Sequence, residues 1–242
     1  MKAILRPFIG VFLGLPLLAS AQLFDKTVEQ EAVQVAPSEE QAVTASEQTD
    51  QAVSSLANYI DQTNTLTGNF VQVVYSDRGE ERSGGQFWLK RPGKFFWDYQ
   101  TPYAQKIISD GQKVTHYDID LAQVSITNRE ELSGDVAMNL LVGDKKLSES
   151  FHVKQQTPNN APVLIQFNDQ GLQYFKLEPL NSNEDIDQVW VVMQNGALSV
   201  IYIDTGVGQQ SLISLQNVTR NAAIADSQFR FKAPEGVDVI GG

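Results

Sequence analysis

The chain has two histidines, His116 and His152, and the first sits in "HYDID" with Asp118 and Asp120 at spacing two. Along an extended strand, residues two apart share a face, so this trio offers an imidazole and two carboxylates to a metal ion or to acid–base chemistry. Between two strand-like runs, however, "YDID" also has the composition of a hairpin turn, and the turn is the stronger reading. His152 stands alone in a strand-like run and reads as structural. Nucleophiles lack context: there is no cysteine and no Gly-x-Ser-x-Gly elbow, and "GVGQQ" (residues 206–210) has no helix pattern after it to make a phosphate loop. Catalysis is the weaker class, and a hydrolase using His116 and Asp118 is its remaining form.

A different chemistry is offered by "FWLKRPGKFFWDYQTP", residues 87–102. Phe87, Leu89 and Arg91 share one strand face, opposite Trp88 and Lys90. After Pro92 and Gly93 turn the chain, Phe95, Trp97 and Tyr99 share a face while Phe96 and Asp98 take the other. A guanidinium therefore stands on the apolar side of two aromatic strands, where burial without partners is costly. Either Arg91 snorkels to water from a strand end, stacking on a ring or pairing with Asp98, or it meets fixed acceptors inside.

The rest of the chain sets where such a site is held. Lys2 and Arg6 precede the apolar run "FIGVFLGLPLLA", and Ala19, Ser20 and Ala21 supply small residues before a cleavage point, so residues 1–21 read as a secretory signal cleaved after Ala21. That run is shorter than the roughly 20 residues that span a bilayer. Removing Lys2 and Arg6 leaves 16 basic against 29 acidic residues, a net charge of −13 that disfavours nucleic acid and anionic lipid surfaces as partners. The missing cysteine removes disulfides and a lipidated N-terminal cysteine. Residues 22–49 read as a flexible acidic linker, too poor in aromatic and large aliphatic residues to offset the entropy of ordering. Residues 50–242 suit one domain with a substantial core.

Within it, "DQAVSSLANYIDQ" spaces Val53, Leu56 and Ile60 as a helix, with Thr49 or Asp50 as the N-cap. A second helical patch, "SGDVAMNLLVG" (residues 133–143), puts Val136, Ala137, Leu140 and Leu141 on one face, and a short third helix fits from Asp144 through Ser150. About a dozen short strand-like runs divide the remainder, "SQFRFKAP" among them. Together they predict a mainly β, α+β fold, an incomplete antiparallel β-barrel with a few short helices over its open side. "FVQVVY" and "LSVIYI" are apolar on both faces, which fits either a sandwich core or a hydrophobic concave face covered by helices.

"GGQFWLKRPGKFFWDYQTP", followed by "IISDGQKVTHYDIDLAQV" and the tail "FRFKAPEGVDVI", resembles the periplasmic outer-membrane lipoprotein carriers, the LolA family, over residues 50–242. The resemblance implies a half-barrel whose concave face binds the acyl chains of a lipoprotein beneath a helical lid, with no enzyme activity and no cofactor. It assigns Phe87, Leu89, Phe95, Trp97, Tyr99, Val136, Leu140 and Leu141 to the acyl cavity. Arg91 becomes the lid latch, its five donors satisfied by helix-end carbonyls near Leu141 to Gly143. Implied partners are lipoprotein cargo, an inner-membrane lipoprotein-releasing ABC transporter and an outer-membrane lipoprotein receptor, with the carrier a periplasmic monomer. A lipid or lipoprotein sensor domain of the same fold is the chief rival.

Overall fold

The computed structural model describes residues 39–129, 140–180 and 186–241, all within the compact unit Glu39–Gly242. The expected signal segment 1–21 and residues 22–38 of the expected linker lie outside the described residues.

Helix α1 spans Glu39–Asp61. Its start was expected at Asp50; Thr49 and Asp50 instead lie inside it, and residues 39–49 of the expected linker are helical. The reason is local composition. Glu, Gln and Ala dominate "EEQA" and recur to Gln48, and these residue types favour helix. Toward the other end Ala52, Leu56 and Ile60, four residues apart, form a buried stripe.

Twelve strands follow: β1 Thr65–Ser76, β2 Gly79–Lys90, β3 Lys94–Thr101, β4 Gln105–Asp110, β5 Lys113–Asp118, β6 Gln123–Asn128, β7 Phe151–Gln156, β8 Leu172–Pro179, β9 Gln188–Gln194, β10 Ala197–Asp204, β11 Gln210–Arg220 and β12 Asp238–Gly241. They make one sheet in the order β12-β6-β5-β4-β3-β2-β1-β11-β10-β9-β8-β7. All neighbours are antiparallel except β12 on β6. The edges β12 and β7 do not pair, so the barrel is open.

The bend comes from bulges. The β1–β11 register slips between Thr67 and Asn69, and the β2–β3 register slips between Gly84 and Gly85. At the first slip Gly68 is required by close approach, since a Cβ there would stand 2.7 Å from the Gln216 carbonyl oxygen.

The concave face carries the main core: Phe70 of β1, Phe87 and Leu89 of β2, Phe95 and Trp97 of β3, Val189 and Val191 of β9, and Ile213 and Leu215 of β11. Against it pack α1, a helical turn at residues 140–142, and Leu147 at the start of the short helix α2, Leu147–Ser150. The chain between β6 and β7 joins a strand next to one sheet edge to the strand at the other edge, and its described part, residues 140–150, lies in this interior.

The second apolar face has covers of its own. Val73, Tyr174, Trp190, Val192, Val200 and Tyr202 point outward and are capped by Ala161 and Ile165 from two 3-10 turns between β7 and β8. Of the two readings of the two-sided strands, the concave face covered by helices is the one found, and a loop covers the outer face as well.

"SQFRFKAP" is not a strand. It forms a 3-10 turn at Asp226–Phe229 followed by irregular chain, packed against β3 and β4. Here side-chain anchoring replaces ladder pairing: Phe229 is buried, and Asp226 bridges Lys90 and Lys94 at 2.7 and 2.9 Å. The sheet's last strand is β12, Asp238–Gly241.

Candidate functional site

Parity along β2 and β3 holds through the site. Phe87 and Leu89 are buried on the concave side with Phe95 and Trp97, and half-buried Tyr99 packs beside them. The rings interlock, with Phe87 stacked on Trp97 at 5.2 Å and Phe70 edge-on to Trp97 at 4.6 Å and to Tyr99 at 4.8 Å. On the convex side Trp88 stacks on Phe96 at 5.1 Å, and Lys106 lies over the Phe96 ring while pairing with Asp98 at 2.7 Å. Asp98 is therefore engaged on the opposite face from Arg91, and the snorkelling pair is not formed.

Arg91 turns inward instead. Its Nη2 donates to the Leu140 carbonyl at 2.8 Å and its Nε to the Leu141 carbonyl at 3.1 Å. Gly93 N–H donates to the Val142 carbonyl at 2.9 Å. Three successive carbonyls at a helix C-terminus, which lack intrahelical donors, are thus all met by the Arg-Pro-Gly turn between β2 and β3. A cation there also faces the negative end of the helical turn. The sequence placed the acceptors near Leu141 to Gly143; of the two side-chain acceptors Leu141 lies in that range and Leu140 one residue before it.

The surroundings support the guanidinium. Half-burial lowers its pKa from the ordinary value, while Asp61 and Asp144 pull it back up, so it stays a cation. Asp61 does a second job, its Oδ1 accepting the Leu147 N–H at 2.9 Å and capping α2 from α1. Gly93 has φ +70°, and a Cβ on it would strike the Arg129 guanidinium, which lies 3.7 Å from Asp144. Sequence reasoning missed Asp61 and Gly93 as neighbours of the Arg91 contacts; the Gly after Arg-Pro was the available signal.

At the other end the apolar interior is closed by a polar row. Tyr99 Oη donates to Gln72 Oε1 at 2.8 Å, and Gln72 Nε2 donates to Ser211 Oγ at 3.0 Å. Beyond the row lies a groove of ≈ 200 Å³ lined by residues that include Glu81, Ser83 and Gln105.

Leu140 and Leu141 are buried against the concave face; Val136, assigned with them, lies outside the described residues. The "HYDID" trio is dispersed: β5 ends at Asp118, whose Oδ1 accepts the Leu121 N–H across the turn, and exposed His116 bonds Gln105 Oε1 at 2.8 Å. Among the described residues no three His, Asp or Glu groups are placed to hold a metal ion, and no helix is long and apolar enough to cross a membrane.

An open sheet, antiparallel but for β12 on β6, surrounds an apolar interior covered by α1 and residues 140–150, with half-buried Arg91 bonded to the Leu140 and Leu141 carbonyls, and this defines a covered half-barrel. The family model "Outer membrane lipoprotein carrier protein LolA" matches residues 61–232, and the chain belongs to the LolA family. It is 33% identical over 189 residues to the outer-membrane lipoprotein carrier protein of Halorhodospira halophila, covering 77% of this chain and 84% of that one. With the protein of the same name from Methylococcus capsulatus the identity is 32% over 189 residues, 77% of this chain and 86% of that one. A solved LolA-superfamily protein of Nitrosomonas europaea aligns over 76% of this chain and 98% of its own, with 11% identity and a TM-score of 0.44.

Proposed function

We propose that this chain is a periplasmic lipoprotein carrier that takes acyl chains into its concave interior when the cover of residues 140–150 moves off. Cargo comes from an inner-membrane lipoprotein-releasing ABC transporter and passes to an outer-membrane receptor, with no bond made or broken. The observation that carries the reading is the apolar chamber of Phe87, Leu89, Phe95 and Trp97, filled by Leu140 and Leu141 on a cover whose carbonyls at Leu140, Leu141 and Val142 are each hydrogen-bonded by the Arg91–Gly93 turn.

The latch makes release possible. Each buried methylene contributes about 0.8 kcal/mol, so a dozen give roughly 10 kcal/mol before costs, enough to make a passive hand-over slow. Opening the cover breaks the Arg91 bonds and exposes Leu140 and Leu141, and that cost is subtracted from cargo affinity. A more avid acceptor then draws the cargo onward without an energy source in the periplasm.

The test is release: the purified protein lacking residues 1–21 is added to ATP-energised inner-membrane vesicles holding a labelled lipoprotein. The expected result is label in a soluble one-to-one complex. Label retained by the vesicles, with a transporter active toward another carrier, would point to a sensor of the same fold.

A further inference from the structure

Trp97 is 4% exposed, and its indole nitrogen is buried without a hydrogen-bond partner. Other buried aromatic polar atoms on the sheet are engaged: Trp190 Nε1 donates to Gln188, Tyr202 Oη to Asp204, and Tyr174 Oη meets the Phe167 backbone. Buried donors are nearly always paired, and a phenylalanine would fill the space between Phe70 and Phe87 with no unpaired group. The donor is in surplus for the closed protein.

Its position indicates what it meets when the chamber is filled. Trp97 precedes Tyr99 by two residues on the same strand face, about 7 Å along β3. Tyr99 begins the Tyr99–Gln72–Ser211 row, where the apolar chamber gives way to the polar groove. A hydrocarbon chain carries no acceptor. A chain lying in the chamber with its polar end toward the groove has one acceptor near this boundary, the carbonyl that links it to its headgroup.

We infer that the Trp97 indole N–H donates to the ester or amide carbonyl at the head of a bound acyl chain, so that cargo lies with its headgroup toward the Tyr99–Gln72–Ser211 row and its methyl ends toward Arg91. The inference rests on the acyl-chamber reading above. Trp97 is then a specificity residue that distinguishes acyl from alkyl chains, since an ether linkage of the same length has no carbonyl oxygen projecting from the chain at that position.

The experiment compares a fluorescent dipalmitoylglycerol with its dihexadecyl ether analogue on the full exported protein. Wild type is expected to bind the ester about fivefold more tightly, the effect of one net hydrogen bond. Trp97→Phe is expected to remove that preference, bringing the ester-to-ether affinity ratio to about one. Equal binding of the two probes by wild type would overturn the inference and leave the carrier reading intact; binding of neither would overturn both. Should Trp97→Phe fail to fold, the wild-type indole 15N–H signal of Trp97, assigned by loss of the other two signals in Trp88→Phe and Trp190→Phe, answers instead. It should move downfield with the ester and not with the ether, and identical spectra with both would refute the bond.

Discussion

Replacing Arg91 with leucine removes both side-chain donors from the cover while leaving the Gly93 bond to Val142 in place. A hydrogen bond to a charged group contributes about 1.5–3 kcal/mol, but Arg91 is only half-buried and recovers hydration when the cover opens. Taking about 1 kcal/mol for each bond gives ~2 kcal/mol, or about 30-fold in the closed-to-open equilibrium. On the proposed function cargo binds the open form, so apparent affinity should rise by up to about 30-fold and transfer to an acceptor should slow accordingly. The assay is titration with a fluorescent acylated peptide, paired with hydrogen exchange at residues 140–143. Arg91→Lys should fall between, since one ammonium cannot span two carbonyls as the guanidinium fork does. Wild-type affinity with wild-type exchange protection in Arg91→Leu would refute the latch.

Phe95→Glu, which puts a carboxylate among Phe87, Trp97 and the cover, should lower acylated-peptide affinity by about tenfold or more; unchanged titration would remove Phe95 from the chamber. Asp61→Ala should cost about 1 kcal/mol of stability through the lost α2 cap, read as a lower urea midpoint. Gly93→Ala and Gly196→Ala both carry positive φ, but only the first meets a neighbour, so Gly93→Ala should destabilise more, and equal midpoints would contradict the packing on Arg129. Lys90 and Lys94 depress the Asp226 pKa to about 2. A carboxylate depressed on folding adds stability above its unfolded pKa of about 3.9 and loses it as pH falls through the folded value. Protection of amides around Phe229, relative to their intrinsic exchange rates, should therefore fall between about pH 4 and pH 2, and Asp226→Asn should flatten that response.

How much was legible beforehand follows from the range of the interactions. Strand positions and the face of Phe87, Leu89, Phe95, Trp97 and Tyr99 depend on period two, a local property, and were readable. The Arg91 acceptors depend on residues about fifty positions away, so the chain could offer helix-end carbonyls as a class but not Leu140 over Gly143. "SQFRFKAP" has strand composition, yet its place is set by Lys90 and Lys94 on the outer face, which no periodicity records. The same holds for Ala161 and Ile165, a loop pair that resolves the two-sided strands. Helix α1 was placed too late because its first turns carry no apolar stripe.

The sheet has two apolar faces, and on the proposed function only the concave one takes acyl chains. The most direct measurement is photo-crosslinking of an acylated peptide bearing a diazirine midway along its chain, with the adducts mapped by mass spectrometry. Adducts on Phe87, Leu89, Phe95 or Leu141, increased in Arg91→Leu, are the result expected. Adducts on the outer face, at Trp190, Val192 or Tyr202, or none in the interior while the peptide is bound, would contradict it.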